Sequence, residues 1–158
     1  MKLTLSFLFV GAFLLTAASS AYAKGTSDLM VITGGGLTRP IKITERETLK
    51  SFDPWSGRFI DWAKGGLEKP SEPSPTYEVF FFMKWPGRHS RYDRGRLKMI
   101  YSVRYCLDRT GGPGYVYLPG NGSLYAVNAG TILREGEDGK WHRASAVWDR
   151  AMKRMIKP

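Results

Sequence analysis

The stretches YEVFFFMKW (Tyr77–Trp85) and RLKMIYSVRYCL (Arg96–Leu107) decide the fold class. In the first, Tyr77, Val79, Phe81, Met83 and Trp85 fall on one side of an extended chain, Phe80 and Phe82 on the other. Both sides are apolar near the middle, as in a central strand. The second alternates. Leu97, Met99, Tyr101, Val103, Tyr105 and Leu107 point one way; Arg96, Lys98, Ile100, Ser102, Arg104 and Cys106 point the other. That pattern predicts an antiparallel strand with a wet side. PGRHSRYDRG between them reads as a basic turn.

Toward the N-terminus, Leu29–Thr33 and Ile41–Ile43 read as a hairpin around Gly34, Gly35 and Gly36. Thr44 and Glu47 have capping-box spacing ahead of a short helix ending near Ser51. Asp53-Pro54 is expected to start a further helix, with Trp55, Phe59, Trp62 and Ala63 on one apolar face. Residues 67–76 carry Pro70, Pro73 and Pro75 and read as a surface loop within one domain.

Toward the C-terminus, Tyr115–Leu118 and Leu124–Asn128 are expected to pair as strands across a turn at Asn121-Gly122. Thr131–Arg134 is expected to be the last strand. Ala144, Val147, Trp148, Ala151, Met152 and Met155 then recur at helical spacing, with Ser145 as the candidate cap. The expected fold class is α+β: an antiparallel sheet of five or six strands with a C-terminal amphipathic helix packed on one face. Hairpins with few long crossovers argue against a doubly wound sheet.

The first residues read as an export signal. Lys2 precedes the uncharged run Leu3–Ala18, and Ala21 and Ala23 give the small-x-small pattern that a signal peptidase accepts. The expectation is a leader of residues 1–23, a single domain of residues 24–158, no transmembrane segment after cleavage, and a secreted or periplasmic location. Cys106 is the only cysteine, so no disulfide forms within one chain. Its place in an apolar strand pattern predicts burial, the other option being pairing with another chain.

The sequence holds 24 Lys and Arg against 14 Asp and Glu. Removing the leader drops one base, Lys2, and no acid, leaving a net charge of +9. That balance favours anionic partners: an envelope polymer, a lipid surface or an acidic protein, and no specific nucleic acid. The cations concentrate in two stretches. Lys84, Arg88, Arg91, Arg94, Arg96, Lys98 and Arg104 face one acid, Asp93. Lys140, Arg143, Arg150, Lys153, Arg154 and Lys157 face one acid, Asp149. The candidate anion-binding surface is Arg88, Arg91, Arg94, Arg96, Lys98, Arg150, Lys153 and Arg154; ordinary solvated faces are the alternative.

Gly34, Gly35 and Gly36 with Arg39 form a second candidate, a glycine-rich loop able to aim amides at an anion. It has neither Walker nor dinucleotide spacing, and a plain structural turn is the competing reading. His89, His142 and Cys106 have no metal-site spacing, so neither metal nor cofactor is expected. No Gly-x-Ser-x-Gly elbow occurs, and no catalytic residue is assigned. Asp53, Asp61 and Glu78 beside aromatics leave a small wall-polysaccharide hydrolase as an alternative. An envelope protein-interaction module is a third. Exposed tryptophans among Trp55, Trp62, Trp85, Trp141 and Trp148 would suit sugar stacking, although at least three are expected in the core.

The segments ITGGGLTRPIKIT (32–44), FDPWSGRFIDW (52–62), YEVFFFMKW and GGPGYVYLPG (111–120) resemble a group of uncharacterised exported proteins of bacteria. The resemblance implies a bacterial host and supplies no activity, cofactor or site residue.

Overall fold

The computed structural model describes residues 25–70, 74–84 and 95–157. The expected leader, the basic turn with Arg88, Arg91 and Arg94, and Trp85 lie outside the described residues. The chain runs through β1 (Leu29–Gly34), β2 (Ile41–Ile43), α1 (Arg46–Ser51), a 3-10 turn (Trp62–Lys64) and β3 (Gly66–Leu67). It continues through β4 (Thr76–Lys84), β5 (Leu97–Cys106), β6 (Tyr115–Tyr117), α2 (Gly122–Ala129), β7 (Trp141–Arg143) and α3 (Ala146–Met155). All seven strands join one antiparallel sheet in the order β2-β1-β4-β5-β6-β7-β3. The fold is α+β as expected, with a helix on the sheet at the C-terminus and more strands than the five or six anticipated.

β4 and β5 form the centre. Tyr77, Val79 and Phe81 of β4 pack with Tyr101, Val103 and Tyr105 of β5 on the inner face. The register shifts between Phe81 and Phe82, which pair with Tyr101 and Met99. Ile100 is the extra residue of this bulge, and it joins the core beside Tyr101. The far side of β5 is therefore drier than a strict alternation implies: Ile100, Ser102 and Cys106 are all buried. Cys106 is buried as expected.

The β1–β2 hairpin forms with its glycine turn. Gly35 has φ +59°, and a Cβ there would stand 2.1 Å from the Tyr77 ring, so both dihedral and space require glycine. At α1 the cap differs from the Thr44–Glu47 expectation. Glu45 is the cap residue without a side-chain cap bond, and its carboxylate instead accepts from the Thr48 hydroxyl.

Three expected elements change type. Residues 53–59 form turns, not a helix, because Gly57 at φ +61° breaks the run and Ile60 bridges to Ala144. Phe59 is consequently fully buried while Trp62 is 41% exposed, so they share no helix face. Leu124–Asn128 is helical, within α2. Residues 131–134 are not a strand, and the Ile132 amide donates back to the Asn128 carbonyl. The final strand is Trp141–Arg143, which pairs with β6 and with the short β3.

α2 stands where β6 leaves off along β5. The Asn128 side chain does the work of a strand there: the Ser102 amide donates to Oδ1 at 2.8 Å, and Nδ2 donates to the Ser102 carbonyl at 2.8 Å. Both backbone groups are thus satisfied without a neighbouring strand.

α3 begins at Ser145, whose hydroxyl accepts from the Trp148 amide. Trp148 packs against Phe52 and Phe59 under the sheet. The buried stripe is Trp148, Asp149, Ala151 and Met152. Val147, expected inside, is 58% exposed, because the helix turns Asp149 inward. Of the tryptophans described, Trp148 is fully buried, Trp55 packs partly buried against the core, Trp141 is half-buried and Trp62 is exposed.

Candidate functional site

Two constellations of the same chemistry hold the 108–115 segment from opposite sides. Inside, Asp149 is 5% exposed. Its Oδ1 accepts from the Tyr105 hydroxyl at 2.6 Å and the Gly114 amide at 2.7 Å. Its Oδ2 lies 2.9 Å from Lys153 Nζ, which also donates to the Gly112 carbonyl at 2.9 Å. Burial alone would raise the Asp149 pKa, but bonds from Tyr105, Lys153 and Gly114 outweigh it and hold the carboxyl below its ordinary value. The Tyr105 hydroxyl is pushed well above the ordinary phenol value by burial and by donating to that carboxylate. A side chain at Gly114 would collide with the Cys106 carbonyl at 2.5 Å, so this close approach needs glycine.

Outside, Asp108 takes the Thr110 hydroxyl at 2.6 Å and Arg143 Nη1 at 2.7 Å. The same Nη1 donates to the Pro113 carbonyl. The Thr110 hydroxyl bond lowers the Asp108 pKa most, burial partly opposes it, and Arg143 and the Thr110 amide bring it to about 2. The Arg143 guanidinium stands over the Tyr115 ring, 4.1 Å from its centre.

These outer groups belong to a larger surface set by strand register. In β6 and β7, Val116 and His142 point into the core and are fully buried. Tyr115, Tyr117, Trp141 and Arg143 therefore point outward, and all four are half-buried. Arg104, Tyr117, Trp141 and Leu67 lie in one row across β5, β6, β7 and β3. Arg104 is paired to Glu78 at 2.7 Å and stands over the Tyr117 ring, and Tyr117 meets Trp141 at 5.1 Å between centres. Against this face opens a groove of about 800 Å³. Tyr115, Arg143 and Leu67 line it, together with Asp61, Lys64, Glu68 and Lys69 from one segment and Asp108, Thr110, Gly112 and Pro113 from another.

Among the described residues, those singled out from the sequence lie in several places. Gly34, Gly35 and Gly36 form the β1–β2 turn and Arg39 is exposed beyond it. Arg96 and Lys98 flank the N-terminal end of β5. Arg150 and Arg154 are exposed on α3, and Lys153 is committed to Asp149 and Gly112 near the C-terminal end of β5. Tyr105 and Lys98 are separated by about 23 Å of strand at ~3.3 Å per residue, so Lys98 and Lys153 lie at opposite ends of β5. Arg104 and Arg143, one from each basic stretch, share the outer face. Asp53 accepts from the Trp55 amide, Asp61 from the Ala63 amide, and Glu78 pairs with Arg104; the three do not converge.

The sequence counts Arg143 among the C-terminal cations and Trp141 among the tryptophans suited to sugar stacking, but Tyr115 and Tyr117 were passed over. Their signal was available in YVY and WHR, two short alternations with the apolar or neutral residue in the middle. Another cation, Arg134, is structural: it covers the rings of Phe59, Trp62 and Tyr101, and donates to the Tyr101 hydroxyl and the Pro54 carbonyl. Among the described residues no three His, Cys, Asp or Glu side chains cluster to hold a metal, and no helix is long and apolar enough to cross a membrane. The chain matches no protein-family model, no curated protein and no solved structure.

Proposed function

We propose that the chain is exported, loses residues 1–23, and acts without catalysis as a binding domain for an anionic envelope component. One observation carries the reading: a chain of net charge +9 after loss of the leader opens a groove that Lys64, Lys69 and Arg143 line beside Asp61, Glu68 and Asp108. The excess positive charge draws a polyanion toward the surface over a range set by salt, about 10 Å at 0.1 M. The groove then gives it a place to rest.

The carboxylates support binding over hydrolysis. Asp108 is held ionised to about pH 2 and so has no proton to give at neutral pH, and Asp61 caps a turn. Glycoside hydrolysis needs a protonated acid beside a second carboxylate.

Two measurements test this. Intact mass of the chain recovered outside the cytoplasm should begin at Lys24; a cytosolic chain retaining residues 1–23 contradicts the export half. A soluble polyacrylate, which offers carboxylates alone, should bind at low ionic strength and release as salt rises, and uncharged dextran should bind far more weakly, with no salt dependence. Absence of any affinity for an anionic polymer at low salt would end the reading.

A further inference from the structure

We infer that the outer face of β5, β6, β7 and β3 seats a carboxylate-bearing glycan, with Tyr117 and Trp141 against its sugar rings and Arg104 and Arg143 on its carboxylates. This rests on the anionic-component reading and names the ligand class.

Three features select a glycan. The first is the row of aromatic rings held open by register. Tyr117 and Trp141 are neighbours on adjacent strands, half-buried, with their other neighbours in the row being Arg104 and Leu67. The strip is aromatic at its centre, with ring planes 39° apart, and is bounded by Arg104 at one end and Leu67 at the other. It suits the weakly apolar face of a pyranose, which packs on an aromatic ring while its hydroxyls reach the rim.

The second feature is the state of the two guanidinium groups. Arg143 spends Nη1 on Asp108 and Pro113, and Arg104 spends Nε on Glu78. The bonds described leave Nε and Nη2 of Arg143 and both terminal nitrogens of Arg104 for a ligand. Each plane is already fixed by a carboxylate and a tyrosine ring, so little freedom is lost on binding. A planar fork with two spare donors matches a carboxylate better than a point charge would.

The third is the mixed charge of the adjoining groove, which shares Leu67 and Arg143 with this face and lies beside Tyr117, Trp141 and Arg104 without including them. Asp61 and Glu68 stand among Lys64 and Lys69. Alternating acceptors and donors satisfy sugar hydroxyls, which both donate and accept. The same carboxylates repel a dense polyanion. The long-range field therefore attracts negative polymers in general, and this face selects those whose charges are spaced by rings.

The test compares three probes on the purified chain: a galacturonate hexamer, polyacrylate of matched charge, and an uncharged glucose hexamer. The galacturonate hexamer should bind at least tenfold tighter than the glucose hexamer. Trp141→Leu and Tyr117→Leu should each weaken galacturonate about tenfold and leave polyacrylate unchanged; Arg143→Gln should weaken galacturonate and leave the glucose hexamer unchanged. Should Trp141→Leu fail to fold, Tyr117→Leu carries the comparison. Equal affinity for galacturonate and polyacrylate, with both aromatic variants unchanged, overturns the glycan assignment and leaves the anionic-component reading in place. Loss of binding to all three probes overturns both.

Discussion

The two clamps on residues 108–115 use the same three kinds of group and end in different states. Inside, Asp149, Lys153 and Tyr105 spend themselves on one another and on the backbone of Gly112 and Gly114. Outside, Asp108, Arg143 and Tyr115 fix the same segment at Pro113, but the guanidinium keeps donors directed at no described protein group. A carboxylate–cation pair beside a tyrosine is therefore not by itself a site. What separates a structural device from a binding device is whether hydrogen-bonding capacity remains once the fold is satisfied, and whether it faces an opening.

That contrast can be broken most severely at Asp149. Asp149→Ala leaves the Tyr105 hydroxyl and the Gly114 amide buried without a partner, and removes the counter-charge of Lys153. Breaking a buried pair this way costs about 3–5 kcal/mol, to be read by urea unfolding. A loss under 1 kcal/mol would mean that the inner clamp is not structural. Tyr105→Phe takes one charge-assisted bond from the same carboxylate and should cost about 1.5–3 kcal/mol in the same measurement.

The outer clamp should show itself in acid. Asp108 has a folded pKa of about 2 against an ordinary 3.8. A depressed carboxyl stabilises the fold above its unfolded pKa and loses that contribution as pH falls through the folded one. Its share, roughly 2 kcal/mol, is thus present above about pH 4 and fades toward pH 2. Asp149 adds a change of the same sign, so the informative quantity is the difference from Asp108→Asn. That difference should be largest near neutral pH and shrink below pH 4; a constant offset across the range would contradict the assignment. The smallest effect belongs to Lys69→Ala, exposed at the groove rim: stability should move by less than about 0.5 kcal/mol while affinity for polyacrylate at low salt falls.

The sheet was readable where a long segment carried one period. β4 and β5 each span nine or more residues, and their alternation survives in the buried Tyr77, Val79, Phe81, Tyr101, Val103 and Tyr105. The β1–β2 hairpin and α3 were readable for similar reasons, through a glycine turn and a capped apolar stripe. Short elements were not. LYAVN fits either period, and the pairing of Asn128 with Ser102, a contact 26 residues distant in sequence, decides for the helix. Residues 53–64 carry aromatic spacing that mimics a helix, but Gly57 and the Ile60–Ala144 bridge override it. The site was missed for a related reason. A charge count ranks runs of cations, whereas the outer face is assembled from one or two residues on each of four strands, and the alternations YVY and WHR that mark them are only three residues long.

The central claim, that the ligand rests on the outer sheet face, is tested most directly by titrating isotope-labelled protein with the galacturonate hexamer and following amide and indole resonances. The account predicts saturable shifts at residues 115–117 and 141–143, at residues 64–69, and at the Trp141 indole, with the buried Trp148 indole unmoved. Shifts confined to Arg96, Lys98 and the exposed arginines of α3, or weak non-saturating shifts spread over every exposed cation, would contradict it.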